Sequence, residues 1–191
     1  SSLVARWAQF RRIAVSTKLT GDIAEQAAIL QALKRGWSVL KPVGDRLPYD
    51  LVFDVNGVLV KIQVKHAWFD EDRGNYVVDN RRTKTNRRAM VREVYMPSDF
   101  DFALAYVPDL DVFYVLPVQV FISYASEIHL VEAEKRQRKP RSARYRDAWN
   151  LILQWAAHRE TDARSPVKVG ETVGVVTPSQ AQSVMRLAEK V

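Results

Sequence analysis

Cysteine is absent from the 191 residues. That excludes a disulfide framework, a structural zinc held by thiolates, and thiol catalysis. Histidine is scarce and scattered, at His66, His129 and His158. No apolar run approaches the length of a membrane span, and the first residues carry no signal-peptide pattern. The sequence also lacks internal repeats, a glycine-rich phosphate loop and low-complexity tracts. These absences lead to the expectation of a cytoplasmic chain with one good core and some appendages.

Positive charge, by contrast, is present and unevenly placed. The chain carries 29 Lys and Arg against 22 Asp and Glu, a net charge of +7. Residues 81–92 contribute Arg81, Arg82, Lys84, Arg87, Arg88 and Arg92 with no acid among them. Residues 135–146 contribute Lys135, Arg136, Arg138, Lys139, Arg141, Arg144 and Arg146, again without an acid. Outside these two stretches the chain is net acidic. Concentrated basic stretches are the footprint of phosphate binding through counterion release, and arginine suits bidentate contact with phosphates and guanine edges. An exposed basic loop without a ligand is the competing reading.

The richest segment is 47–65, LPYDLVFDVNGVLVKIQVK. Two apolar-rich strand patterns meet at Asn56-Gly57, a pair suited to positive φ in a two-residue type I′ turn. Such a turn fixes register: Val55 faces Val58, Phe53 faces Val60, Leu51 faces Ile62 and Asp50 faces Gln63. Because side chains alternate, Tyr49, Leu51, Phe53, Val55, Val58, Val60, Ile62 and Val64 share one face. Asp50, Gln63 and Lys65 cluster on the other, at the end away from the turn. This is the pattern of a catalytic cluster on a strand pair backed by a core. It is also the pattern of a solvated cross-strand pair on the wet face of an antiparallel sheet, and Asp54 and Lys61 fit that reading better.

Ahead of the hairpin, Thr20 reads as an N-cap and 21–35 as a helix with apolar positions Ile23, Ala24, Ala27, Leu30 and Leu33. Gly36 supplies its stop, with Lys34 and Arg35 in the last turn where the helix dipole favours cations. Glu25 lies at the edge of the apolar stripe, flanked by Ala28, Ile29 and Ala32. Residues 37–41 form a short strand that returns the chain to the hairpin.

Helix with Glu, strand, strand with Asp, strand with Gln-x-Lys: in this order the sequence resembles the PD-(D/E)XK nucleases. The likeness is closest to the branch associated with cyanobacterial group I introns, which includes homing endonucleases. It rests on Gly-Asp-Ile-Ala-Glu-Gln at 21–26, Gly-Asp-Arg-Leu-Pro-Tyr-Asp at 44–50 and Ile-Gln-Val-Lys at 62–65. It continues through 74–83 and 99–103 to Tyr-Arg-Asp-Ala-Trp at 145–149.

The resemblance implies a restriction-endonuclease-like α/β core, a mixed central sheet flanked by helices. It implies that Asp50 is the central metal-binding carboxylate and Glu25 the helix carboxylate near that metal. Lys65 becomes the lysine beside the attacking water and the scissile phosphate. Gln63 stands where the family usually has an acid, and the intron-associated branch also accepts Gln there. The implied cofactor is Mg²⁺, with Mn²⁺ able to substitute. The implied activity is site-specific hydrolysis of double-stranded DNA, of the intron-homing type, with no membrane role. One active site per chain against the two phosphodiesters of a double-strand break leads to the expectation of a homodimer or homotetramer, cytoplasmic and nucleoid-associated while acting on DNA. A Holliday-junction or other structure-selective nuclease is the alternative enzyme. A catalytically silent DNA-binding module is the alternative outside enzymes.

The rest of the chain reads more coarsely. Leu3–Ala14 is amphipathic, with Leu3, Trp7, Phe10 and Ala14 on one side. Short strands are expected at 76–78, 100–107, 112–116 and 127–131, a single helical turn at 117–123 and a helix at 144–158. A last helix opens at Thr177-Pro178-Ser179. The expected division is a helical arm over 1–19, a nuclease domain over 20–158 and an appendage over 159–191.

Overall fold

The computed structural model describes residues 17–44, 46–86, 89–132 and 140–164. The amphipathic segment at 3–14 and the last helix lie outside them. The chain divides into two units, Ser1–Glu160 and Thr161–Val191. Of the second, only 161–164 is described.

Helix α1 spans Thr17–Lys34. It begins earlier than the sequence reading placed it, so Thr20 lies inside the helix and is not its N-cap. Nothing in Thr-Lys-Leu-Thr breaks a helix, so the polar residue did not mark the boundary. Gly36 ends it as expected, at φ +75°, with its N–H bonded to the Leu33 carbonyl. The buried stripe is Ala24, Ala28 and Ala32, whereas Ile23, Leu30 and Leu33 are exposed. Small residues at four-residue spacing let the helix lie close on the sheet, and this turns the larger side chains outward.

The strands follow as β1 (Ser38–Leu40), β2 (Leu51–Val55), β3 (Val58–His66), β4 (Trp68–Asp70) and β5 (Asn75–Asp79). Then come β6 (Arg81–Asn86), β7 (Ala89–Val94), β8 (Phe102–Val107) and β9 (Val112–Pro117). Helix α2 (Val118–Ile122), β10 (Glu127–Leu130) and helix α3 (Asn150–Arg164) complete the described elements. The central sheet has the order β1-β2-β3-β8-β9. Only β3 and β8 run parallel; the other neighbours are antiparallel. The fold is thus a mixed sheet with helices against it. Separate sheets form from β10-β5-β4 and from β6-β7.

The hairpin register is the one the turn dictates: Leu51 pairs with Ile62, Phe53 with Val60 and Val55 with Val58. Asn56 and Gly57 hold φ of +55° and +87°, and Asp54 Oδ1 accepts the Gly57 N–H at 2.8 Å. The apolar face packs with α1 and α3 in one layer, together with Trp37, Phe113, Trp149 and Ile152. Tyr49 departs from it and packs with the opposite layer. It precedes β2, in the bend before Leu51, where alternation does not yet apply.

That opposite layer, built on Phe100, Ala103, Ala105, Tyr114, Leu116 and Phe121, changes the reading of the hairpin's polar face. It is largely roofed over. Lys61, expected on a solvated face, is half-buried and donates to the Ser98 carbonyl at 2.6 Å. The helix expected over 144–158 starts late. A 3₁₀ turn at Ala143–Tyr145 gives way to an extended Arg146 bridged to Tyr114. Asp147, at φ +47°, then accepts the Phe113 N–H. Pairing with the β9 edge thus interrupts the helical pattern before Asn150.

The face assignment of α1 is directly testable. Ala28→Leu should cost about 1–3 kcal/mol by overpacking. Leu30→Ala, on the exposed side, should stay within about 0.5 kcal/mol. Thermal melting of the two variants checks this, and equal losses would place the stripe elsewhere.

Candidate active site

Asp50 sits at the mouth of the hairpin, its N–H donating to the Ile62 carbonyl at 2.9 Å. Its Oδ2 accepts the Val64 N–H at 2.7 Å and Gln63 Nε2 at 2.6 Å. The register therefore does bring Asp50 and Gln63 together. Gln63 is 8% exposed and also donates to the Val64 carbonyl at 3.2 Å.

Burial pushes the Asp50 carboxyl up to about 6. The Val64 N–H, Lys65 and Lys41 pull it down, and the Glu25 charge raises it further. Glu25 thus faces the same region, from the third turn of α1. Its Oε2 accepts Lys41 Nζ at 2.6 Å, and its side chain is 21% exposed. The bond to Glu25 raises the Lys41 pKa.

Lys65 is held from two sides. Its Nζ donates to the Arg81 carbonyl at 2.9 Å and lies 5.1 Å from the centroid of the Tyr95 ring. Burial lowers its pKa, and the Asp50 and Asp79 charges oppose that. Tyr95 is fixed edge-on against Phe100 and Phe121, and burial raises its own pKa. Sequence reading missed Lys41, Tyr95 and the Arg81 carbonyl. No local signal marks a cation–π contact across thirty positions or a bond to a main-chain oxygen.

Asp50, Glu25, Gln63 and Lys65 are therefore neighbours, tied by the hydrogen bond from Gln63 to Asp50 and by charge coupling of Asp50 to Glu25 and Lys65. The donor set fits a hard, oxygen-seeking divalent cation. It offers two carboxylates and an amide that can present oxygen, and one carboxylate is held in a buried place where a positive charge would stabilise its ionised form. Among the described residues no group of three or more His, Cys, Asp and Glu gathers, which argues against an all-protein cage of the zinc type.

The expected basic residues divide. Arg82 donates to the Arg46 and Leu47 carbonyls, at 2.9 Å each, tying β6 to the loop that leads into Asp50. The stretch expected to be a basic loop is a two-stranded ribbon, β6-β7. Arg82 stands opposite Glu93 in it, Thr83 opposite Arg92 and Lys84 opposite Val91. The Lys84 and Arg92 side chains, and all of Arg87, Arg88, Lys135, Arg136, Arg138 and Lys139, lie outside the described residues. Arg141 lies over Tyr124.

The Asp50 carboxyl makes a prediction about stability. Its pKa is raised on folding from 3.8 to about 6, so the native state favours the protonated form. The resulting penalty is absent below the unfolded value, grows as pH rises through 6 and is then full, at about 3 kcal/mol. In EDTA, Asp50→Asn should raise Tm by about 6–12 °C at pH 7.5 and give no gain at pH below the unfolded value. Equal melting temperatures at both pH values would show that the carboxylate carries no burial penalty.

The sequence profile of the PD-(D/E)XK endonucleases matches residues 15–152. A solved structure described as a bacterial homing endonuclease, I-Ssp6803I, is similar at 69% sequence identity and a TM-score of 0.72. The similarity covers 76% of this chain and 98% of that one. No curated protein matches. A profile match running from the second residue before α1 to the first turn of α3, over the mixed sheet and the Asp50–Lys65 cluster, leaves one conclusion: the chain belongs to the PD-(D/E)XK endonucleases, a family of DNA-cutting enzymes that use divalent metal ions.

Proposed function

We propose that the chain is a site-specific, Mg²⁺-dependent endonuclease of the homing type, acting on double-stranded DNA with Mn²⁺ as a working substitute. The observation that carries the site assignment is the Asp50 carboxylate, bonded to Gln63 and Val64 with Lys65 and Glu25 coupled to it. Similarity to a protein described as a homing endonuclease supports a long specific target, and an intron-bearing host gene suits that reading.

Asp50 and Glu25 would hold the cation, with Gln63 completing the set through its carbonyl oxygen. When bound, Mg²⁺ supplies charge stabilisation at the phosphodiester and a more acidic water. The chain's own groups do the positioning. The Val64 N–H fixes one oxygen of Asp50 and leaves the other available. Lys65, restrained by the Arg81 carbonyl and the Tyr95 face, presents its remaining N–H donors to a phosphate oxygen or to the attacking water. Its lowered pKa suits it to give up a proton more readily than an exposed lysine. Pre-organisation of this kind lets the donors act without rearranging.

The ribbon β6-β7 is the element we assign to the duplex. A two-stranded ribbon fits the major groove, and the basic residues of the sequence stretch 81–92, Arg81, Arg82, Lys84, Arg87, Arg88 and Arg92, supply phosphate and guanine contacts. Its first residue also touches Lys65, so the ribbon starts beside the cutting site. A double-strand break needs two phosphodiesters cut, and each chain brings one such cluster among its described residues. The acting species is therefore a symmetric homodimer or homotetramer.

Asp50→Ala and Lys65→Ala should each reduce DNA cleavage by at least about a thousandfold while leaving duplex binding in place. A plasmid-library digestion with sequencing of the ends checks this, and a fully active Asp50→Ala protein would sink the assignment. Protons compete with the cation for Asp50, so cleavage at low Mg²⁺ should fall as pH drops below about 6, and added Mg²⁺ should push the fall lower. Sedimentation at working concentration tests assembly, and a strictly monomeric active species would remove the two-site argument.

A further inference from the structure

The duplex contact through β6-β7 leaves the second basic stretch without a role, yet its described part is built around a buried polar group. The Arg141 guanidinium lies 4.7 Å from the centroid of the Tyr124 ring and donates to Ser123 Oγ at 2.9 Å. Arg144 lies 4.9 Å from the Tyr145 ring centroid and donates to its hydroxyl at 2.6 Å. Pro140, Arg141, Ala143 and Arg144 line a hollow of about 440 Å³. Neither guanidinium pairs with a carboxylate among the described residues. The hydroxyl of Tyr124, whose ring lies under Arg141, is buried with no hydrogen-bond partner among the described residues.

Such a hydroxyl has given up water and received nothing in exchange, and native structures hold few groups like it. Burial raises its pKa while the charges of Arg141 and Arg144 work the other way. It thus stays protonated and able to donate. Stacking on the two tyrosine faces restrains the guanidinium planes without using up their N–H donors. What the cluster lacks is a compact anion with several acceptor oxygens, and a phosphate diester has that chemistry.

The loop is also anchored next to the cutting site. Asn80 Nδ2 donates to the Tyr124 and Phe121 carbonyls, and the Asn80 N–H donates to the Ser126 carbonyl at 3.2 Å. The next residue, Arg81, supplies the carbonyl that holds Lys65. We propose that Arg141, Arg144 and the Tyr124 hydroxyl form a seat for a DNA backbone phosphate other than the one cleaved. The seat rests on the nuclease reading above and gives its duplex a second fixed point.

The test is anisotropy of a short labelled duplex of arbitrary sequence with the full chain in EDTA, over a salt series. Arg141→Ala should weaken binding several-fold and lower the slope of log K against log salt by about one. Tyr124→Phe should also weaken binding, yet raise the Tm of the free protein by removing a buried hydroxyl that has no partner. An Arg141→Ala protein with the wild-type salt slope, or a Tyr124→Phe protein with wild-type affinity, would overturn the seat. So would displacement of the duplex by inorganic phosphate at constant ionic strength, which would assign the cluster to the free anion. Wild-type protein that binds no duplex and cuts no plasmid in Mg²⁺ would remove the nuclease reading itself. Wild-type binding and cutting with indifferent variants would remove the seat alone.

Discussion

The two-residue turn at Asn56-Gly57 is the constraint from which the site follows. With both residues at positive φ, β2 and β3 can pair in only one register, and a slip of one residue would turn every side chain to the other face. In the observed register Leu51, Phe53, Val55, Val60 and Ile62 all enter the core, which locks the pairing from behind. At the open end the same register leaves Asp50 beside Gln63 and Val64. The position of the acid is therefore over-determined: turn chemistry, burial and hydrogen bonding all require it. A carboxylate with a raised pKa can persist in a buried place only because the frame around it cannot relax.

The frame also accounts for which features could be read from the sequence. The hairpin, the Gly36 stop, the strands β8 and β9 and the cluster of Asp50, Gln63 and Lys65 depend on spacing and turn type, which a sequence displays. The packing face of α1 did not follow. Apolar periodicity weighs Ile23, Leu30 and Leu33 above alanine, whereas the sheet selects Ala24, Ala28 and Ala32 because close approach needs small side chains. The helix boundary near Asn150 was hidden for a similar reason. Residues 144–149 carry helical periodicity, but a bridge from Arg146 to Tyr114 and the bonds of Asp147 to Phe113 supersede it. The ribbon β6-β7 was illegible because Arg-Arg-Thr-Lys-Thr-Asn alternates in no apolar pattern.

Gln63 shows how the site balances charge. An acid there would place a third carboxylate close to Asp50, whose burial already favours its neutral form. The amide instead donates to Asp50 Oδ2 and so stabilises the ionised state. Lys41 pairs with Glu25 at 2.6 Å. The cluster is thus held together by neutral and cationic donors around two acids. That arrangement tolerates the absence of a cation and still has oxygen to offer one.

Lys65 is restrained by the carbonyl of Arg81, at the first position of the ribbon assigned to the duplex. A main-chain oxygen is the same whatever side chain the residue bears. A substitution along β6-β7 that keeps the backbone in place therefore does not withdraw the lysine's acceptor. On the duplex role proposed for the ribbon, its side chains can change one by one while the restraint on Lys65 stays intact.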